Sequence, residues 1–81
     1  METYNLKDIR KLFKNINENE TIQIINKNKV TITLKDQKKY VYKNLINIEL
    51  IKNHYDDIIM INKYMDQLDF NLKDIKYIYI R

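Results

Sequence analysis

The fold of this chain depends most on a six-residue stretch in its first half, Val30-Thr31-Ile32-Thr33-Leu34-Lys35. Its apolar and polar residues alternate, which is the pattern of a β-strand with one buried and one solvated face. A similar alternation begins upstream at Ile22 and Ile24, and Asn26-Lys27-Asn28 separates the two runs. The pattern predicts a β-hairpin in which one of these two asparagines takes the positive φ that glycine would otherwise supply.

A third strand is predicted just downstream of this hairpin. Asp36-Gln37-Lys38 has the composition of a short turn, and Tyr40-Val41-Tyr42 combines aromatic with β-branched residues. The three strands are therefore expected to form an antiparallel meander.

An amphipathic helix is predicted before the meander, at about residues 5–16. Leu6, Ile9 and Phe13 fall on one helical stripe. Asn5 stands at the N-cap position, and Asp8 follows at the third helical position, where a carboxylate complements the helix dipole.

The C-terminal half gives mixed signals. Residues 44–53 fit both a strand and a helix, and we favour a short helix. A helical stripe predicts a second helix, which Asn53 would cap; the stripe consists of Tyr55, Ile58, Ile61 or Asn62, Met65 and Leu68. Residues 75–80 are apolar or aromatic at almost every position and predict a strand covered on both faces or lying inside the sheet.

The fold expected from these elements is a single two-layer α+β domain over residues 1–81, in the order α-β-β-β-α-α-β. The three-stranded meander and the C-terminal strand would pack on the helices. The predicted core consists of Leu6, Ile9, Phe13, Ile22, Ile24, Val30, Ile32, Leu34, Ile58, Met65 and Leu68.

The composition excludes much chemistry. The chain has 81 residues and no Gly, Pro, Cys, Trp, Ala or Ser, so it has no disulfide, thiolate site or serine nucleophile. Ile, Lys, Asn and Tyr dominate and have A/T-rich codons, which indicates an AT-rich genome and weakens arguments from lysine abundance. The chain has no apolar run long enough to span a membrane and no signal-peptide stretch at its start, so we expect a cytoplasmic protein.

No catalytic or metal site is expected. His54 with Asp56 and Asp57 would need to converge on one ion, but neighbouring positions of a helix point about 100° apart. Asp36-Gln37-Lys38 resembles half of a nuclease metal site but lacks its acidic partner upstream. We therefore expect a protein that is not an enzyme and uses no cofactor.

The charges are unevenly distributed, and the basic part is one candidate binding region. Residues 27–43 carry six lysines and one aspartate. The candidate binding residues are Lys35, Lys38, Lys39, Tyr40, Tyr42 and Lys43, where lysines could pair with phosphates and tyrosines could stack on bases. The alternative is that the two tyrosines face the core and the lysines are merely solvated at a strand edge.

The acidic part lies in the predicted helical segment. Asp56, Asp57, Asp66 and Asp69 could form a solvated face, or they could present carboxylates to a basic groove on a partner protein. Composition does not separate these two alternatives.

The predicted element order resembles a family of small inhibitors. A capped helix beginning at Asn5-Leu6-Lys7-Asp8-Ile9, three strands within residues 20–43 and C-terminal helices are similar to the layout of small anti-CRISPR proteins from phages and mobile elements. The similarity covers residues 4–68. The best-known inhibitors of that shape mimic DNA and are strongly acidic, whereas this chain has a net charge of +4.

The resemblance implies a phage-encoded inhibitor that binds and occludes a host defence protein or nucleoprotein complex in the host cytoplasm. A small nucleic-acid-binding domain using the Lys/Tyr strand is the alternative. The sequence also leaves a homodimer open.

Overall fold

A computed structural model describes residues 3–81 of the chain. Within that range the backbone forms six strands, one α-helix and one 3₁₀ turn. In chain order these are β1 (Tyr4–Asn5), α1 (Leu6–Asn15), β2 (Thr21–Leu34), β3 (Lys39–Lys52), β4 (Asp57–Lys63), β5 (Asp66–Asn71), the 3₁₀ turn (Leu72–Asp74) and β6 (Ile75–Ile80).

All six strands belong to one antiparallel sheet in the order β1-β6-β2-β3-β4-β5. Its centre is the hairpin of β2 and β3, each 14 residues long. β6 pairs with residues 30–34 of β2, beside the hairpin turn, whereas β4 pairs with residues 47–52 of β3, at the open end. The long hairpin therefore joins two halves of the sheet.

Each of the two long strands has a backbone irregularity near its middle and continues as a strand beyond it. The pairing of β2 with β3 shifts register between Ile24 and Lys29, and Asn26 has a φ of 56°. On β3, Asn44 and Leu45 have φ values of 67° and 51°. The predicted hairpin turn at residues 26–28 is thus wrong: Asn26 does take a positive φ, but within an irregularity of one continuous strand.

The N-terminal helix is confirmed. Asn5 caps α1 by accepting a hydrogen bond from the Asp8 N–H (3.0 Å), and the Asp8 carboxylate accepts from the Asn5 N–H (2.9 Å). Ile9 and Phe13 are buried against the sheet. At its other end, the Lys52 ammonium donates to the Phe13 carbonyl (3.1 Å), which holds the helix onto β3.

One face of the sheet and the apolar stripe of α1 form the core. Every second residue of the strands contributes to it, as the alternation on β2 predicts. The buried apolar residues are Ile9, Phe13, Ile16, Ile24, Val30, Ile32, Ile46, Ile48, Leu50, Ile59, Ile61, Phe70, Ile75, Ile78 and Ile80. Leu6, Ile22 and Leu34 are partly buried beside them.

The predicted α+β class and its two C-terminal helices are wrong. Residues 44–53 lie mostly in β3, and the segment expected to be a second helix forms β4, a tight turn and β5. The observed order is β-α-β-β-β-β-β with a 3₁₀ turn before the last strand. The C-terminal helices behind the resemblance to anti-CRISPR proteins are therefore absent from the described part of the chain.

The prediction of a helix from the stripe through residues 55–68 is wrong because apolar residues are common enough there to fit the helical period and the strand period at once. Met65, placed in the core by that stripe, is 99% exposed in the β4–β5 turn, and Leu68 is exposed on β5. Ile59, which lay off that stripe, is buried, and so is Ile61, which fitted both the stripe and the strand period.

Candidate nucleic-acid interface

The tyrosines of the predicted basic strand face the interior. The Tyr40 ring packs edge-to-face on Phe70, with 5.1 Å between ring centroids, and both Tyr40 and Tyr42 are partly buried against the core. Burial raises the pKa of the Tyr42 hydroxyl above its ordinary value of 10.0, and neighbouring Tyr40 adds to the rise. Of the two alternatives left open by the sequence, the structure shows the core-facing one.

The lysines of that region divide between two places. Lys39 and Lys43 alternate with the tyrosines and lie on the outer face of β3. Lys35 and Lys38 lie at the β2–β3 turn, where the Lys38 ammonium approaches the Asp36 carboxylate at 3.9 Å. Only Lys39 and Lys43 of the predicted set therefore share a sheet surface.

The four predicted acidic residues do not share a face. Asp56 and Asp57 lie at the start of β4, and the Asp56 carboxylate accepts from the Asn71 amide (2.9 Å). Asp66 and Asp69 are exposed on β5. A single acidic helical face does not form because the helix itself does not form.

The structure brings together a different set on the outer face of β6, β2 and β3. We call it the basic face. It consists of three cross-strand rows: Tyr77, Thr33 and Lys39; Tyr79, Thr31 and Val41; and Arg81, Lys29 and Lys43.

The third row is entirely cationic. Lys29 and Lys43 are direct cross-strand partners in the register. Arg81 extends β6 past Ile80: its N–H donates to the Lys29 carbonyl (3.0 Å), and the Lys29 N–H donates to the Arg81 carbonyl (3.1 Å). Side chains of directly opposed residues have Cβ atoms about 4.5–5.5 Å apart, so three positive groups are held side by side.

No acidic side chain lies among the nine residues of the basic face. Within residues 3–81, none of its four cations has a carboxylate within 4.0 Å. The outward residues of the other half of the sheet include Glu49 and Asp69, which face the same side through the Glu49–Met60–Asp69 row. The outer face is thus basic beside the hairpin turn and acidic towards β5.

The sequence contained a signal for this face that the apolar content of β6 concealed. Tyr77, Tyr79 and Arg81 share one parity, whereas Ile78 and Ile80 share the other. An arginine and two tyrosines at alternate positions mark a solvated face, because their polar ends need water or a partner. Of the two alternatives that the sequence left for this strand, the structure shows the second: β6 lies inside the sheet, between β1 and β2, and is not covered on both faces.

None of the protein-family models, curated proteins or solved structures compared with this chain matches it. Over the described residues there is no helix long and apolar enough to cross a membrane. The same residues contain no group of three or more His, Cys, Asp or Glu side chains placed to hold a metal ion.

Proposed function

We propose that this chain binds single-stranded nucleic acid on its basic face, acting in the cytoplasm. The observation that carries the proposal is the juxtaposition of two outward tyrosines, Tyr77 and Tyr79, with the cationic row of Arg81, Lys29 and Lys43. Aromatic rings beside lysine and arginine on an open sheet are the elements of a stacking platform for bases and phosphates.

The cationic row supports an anionic ligand. Like charges directly opposite each other across a strand pair destabilise the sheet. In this row, Lys29 has a cation on either side, and no side-chain carboxylate of the described residues lies within 4.0 Å of its ammonium. Phosphates along the row would relieve that repulsion and release counterions, which favours binding at low salt.

The tyrosines favour a single strand over a duplex. Tyr77 is 48% exposed and Tyr79 is 37% exposed, so both retain accessible ring surface. They are two residues apart on one strand, or about 6.8 Å. Rings at that spacing can each stack on a base that has been splayed out, and bases in a duplex are not available for such stacking.

The test is a comparison of binding to a fluorescently labelled oligothymidylate and to the matching duplex by anisotropy. Tyr77→Ala and Tyr79→Ala should each lose about 1–3 kcal/mol of single-strand affinity. Tyr64→Ala is the matched control, since Tyr64 is 83% exposed but lies in the turn between β4 and β5. Equal losses from all three variants, or no binding at low salt, would contradict the proposal.

Occlusion of a host nucleoprotein complex is a second candidate, favoured by the exposed apolar tip of the β4–β5 turn, Tyr64 and Met65. Copurification of a tagged chain from a low-GC host separates the two functions. If nucleic acid copurifies with the native chain but not with Tyr79→Ala, the result supports binding on the basic face. A stoichiometric protein that survives Tyr79→Ala but is lost with Met65→Glu supports occlusion.

A further inference from the structure

A concave surface lies between α1, the loop before β4 and the 3₁₀ turn. It is a cleft of about 410 Å³. That volume is within the range of about 300–1,000 Å³ in which small-molecule sites fall. Its charged lining residues are Arg10, Lys35, Lys52 and Lys73, together with Asp56 and Asp57.

The floor of the cleft is held by side-chain hydrogen bonds. Asn71 accepts from the Lys73 N–H (3.1 Å) and donates to the Asp56 carboxylate (2.9 Å), which ties the 3₁₀ turn to the loop. The Asn53 side chain accepts from the N–H groups of Tyr55 (3.0 Å) and Asp56 (2.7 Å). The backbone around the cleft is therefore ordered before any ligand arrives, which lowers the entropic cost of binding.

The charges of the cleft are not consumed by internal ion pairs. Within the described residues, none of its four cations lies within 4.0 Å of a carboxylate. The Lys52 ammonium is directed at the Phe13 carbonyl (3.1 Å), whereas Arg10, Lys35 and Lys73 are exposed. The cations outnumber the carboxylates, so the cleft attracts anions, and its two carboxylates can accept hydrogen bonds from ligand donors.

An aromatic surface completes the cleft. Tyr55 and His54 both line it, and their rings contact each other edge-to-face with 4.6 Å between centroids. The His54 ring is fixed through its Nδ1, which lies 2.9 Å from a Glu18 carboxylate oxygen. The cleft therefore offers a flat heterocycle both an aromatic surface for stacking and hydrogen-bond acceptors.

We infer that this cleft binds a nucleoside phosphate. Arg10, Lys35 and Lys73 contact the phosphates, Asp57 accepts from a ribose hydroxyl or an exocyclic amine, and the base stacks on Tyr55. A phosphate alone satisfies the cations but not the carboxylates, which would repel it. The same chemistry could come from a terminal nucleotide of a strand lying on the basic face, because Lys35 is two residues from Thr33.

The experiment is a titration of the ¹⁵N-labelled protein with ATP, AMP and inorganic pyrophosphate, followed by amide chemical shifts. ATP should produce saturable shifts at Asp56, Asn71 and Lys73 and leave Tyr77 and Tyr79 unmoved. Arg10→Gln and Lys73→Gln should weaken ATP binding by roughly ten- to a hundredfold, the loss expected for a charge-assisted hydrogen bond. Lys14→Gln, on the same helix but outside the cleft, is the matched control.

Asp57→Asn distinguishes a nucleotide site from a simple anion site. This substitution should weaken the binding of ATP, since it removes a hydrogen-bond acceptor, and strengthen the binding of pyrophosphate, since it removes a repelling charge. If the ATP-induced shifts in the cleft persist when Tyr77 and Tyr79 are both changed to alanine, the ligand of the cleft is free nucleotide. Shifts that appear only with an oligonucleotide assign the ligand to the end of a strand. Equal affinity for ATP and pyrophosphate, or equal losses with Lys14→Gln, would each overturn the inference.

Discussion

The ring of Tyr40 on β3 packs edge-to-face on the ring of Phe70 on β5, with 5.1 Å between centroids. In the sheet, Phe70 lies in one row with Ile59 and Leu50, and Leu50 is ten residues along β3 from Tyr40. Ten residues of straight strand would span about 33 Å. The contact therefore requires β3 to bend sharply between these positions, and the bend coincides with the positive φ angles of Asn44 and Leu45.

The Tyr40–Phe70 contact should appear as an energetic coupling. Tyr40→Leu and Phe70→Leu each remove one ring, and a double-mutant cycle isolates their interaction. We expect a coupling free energy of about 0.5–1.5 kcal/mol, the usual size for an aromatic pair, from urea unfolding followed by circular dichroism. Strictly additive losses would mean that the sheet does not curl far enough to join the rings.

Leu45 should be a site of backbone strain. A left-handed conformation costs a residue with a Cβ roughly 1–2 kcal/mol, and asparagine tolerates it better. Leu45 is 64% exposed, so its side chain contributes little packing. Leu45→Asn is expected to raise the free energy of unfolding by up to about 1 kcal/mol, whereas Leu45→Val should lower it. If chemical denaturation showed Leu45→Val to be more stable than Leu45→Asn, the bend would have to lie elsewhere.

Ile32 and Met65 provide a sharp test of the core, because the sequence predicted both to lie inside: strand alternation placed Ile32 there, and the helical stripe placed Met65 there. Ile32 is 0% exposed on the central strand, and Met65 is fully in solvent. Ile32→Ala should cost about 2–5 kcal/mol and leave the chain largely unfolded, whereas Met65→Ala should stay within about 0.5 kcal/mol of the native chain. A cooperative thermal melt of Ile32→Ala near the native temperature would refute the fold.

We expect the folded protein to lose stability at alkaline pH because of Tyr42. Its folded pKa is raised above 10.0, chiefly by burial, so the folded state holds this proton more tightly than the unfolded state. The contribution is fully present below pH 10 and is lost as the pH rises through the folded pKa. Ultraviolet titration should show one tyrosine ionising late, and Tyr42→Phe should abolish that late step and reduce the alkaline loss.

The salt dependence of binding measures how many cations of the basic face meet phosphates. Each neutralised phosphate on a single strand contributes about −0.7 to the slope of log affinity against log salt, so four contacts give about −2.8. Lys43→Gln and Lys29→Gln should each make the slope shallower by about 0.7. Lys63→Gln, at the end of β4, is the control and should leave the slope unchanged.

Several elements were predictable because their determinants are local. The capping box of Asn5 and Asp8 and the stripe of Ile9 and Phe13 lie within about ten residues, and they specify α1 without help from the rest of the chain. The turn at residues 36–38 was predicted for the same reason: the Asp36 carboxylate accepts from the Lys38 N–H (3.0 Å).

The C-terminal strands were not predictable from local sequence. A chain without glycine or proline carries few markers of turns, and here Leu45 and Tyr64 occupy positive-φ positions that neither residue prefers. Such residues adopt that conformation only when the paired strands on both sides offset its cost. Tyr64 does so in the two-residue loop closed by the pairing of Lys63 with Asp66.

The sequence by itself determined the helix, the alternating faces of β2, the absence of thiol and serine chemistry, and the uneven distribution of charge. Only the tertiary structure decided which tyrosines face solvent. Tyr40 and Tyr42 lie on the parity that the core of β3 requires, whereas the apolar content of β6 concealed which of its sides is buried. Packing of α1 and the inner face against Ile78 and Ile80 leaves Tyr77 and Tyr79 outside, because beyond the register shift at Leu34 a sheet covered on one side buries only one parity of this strand.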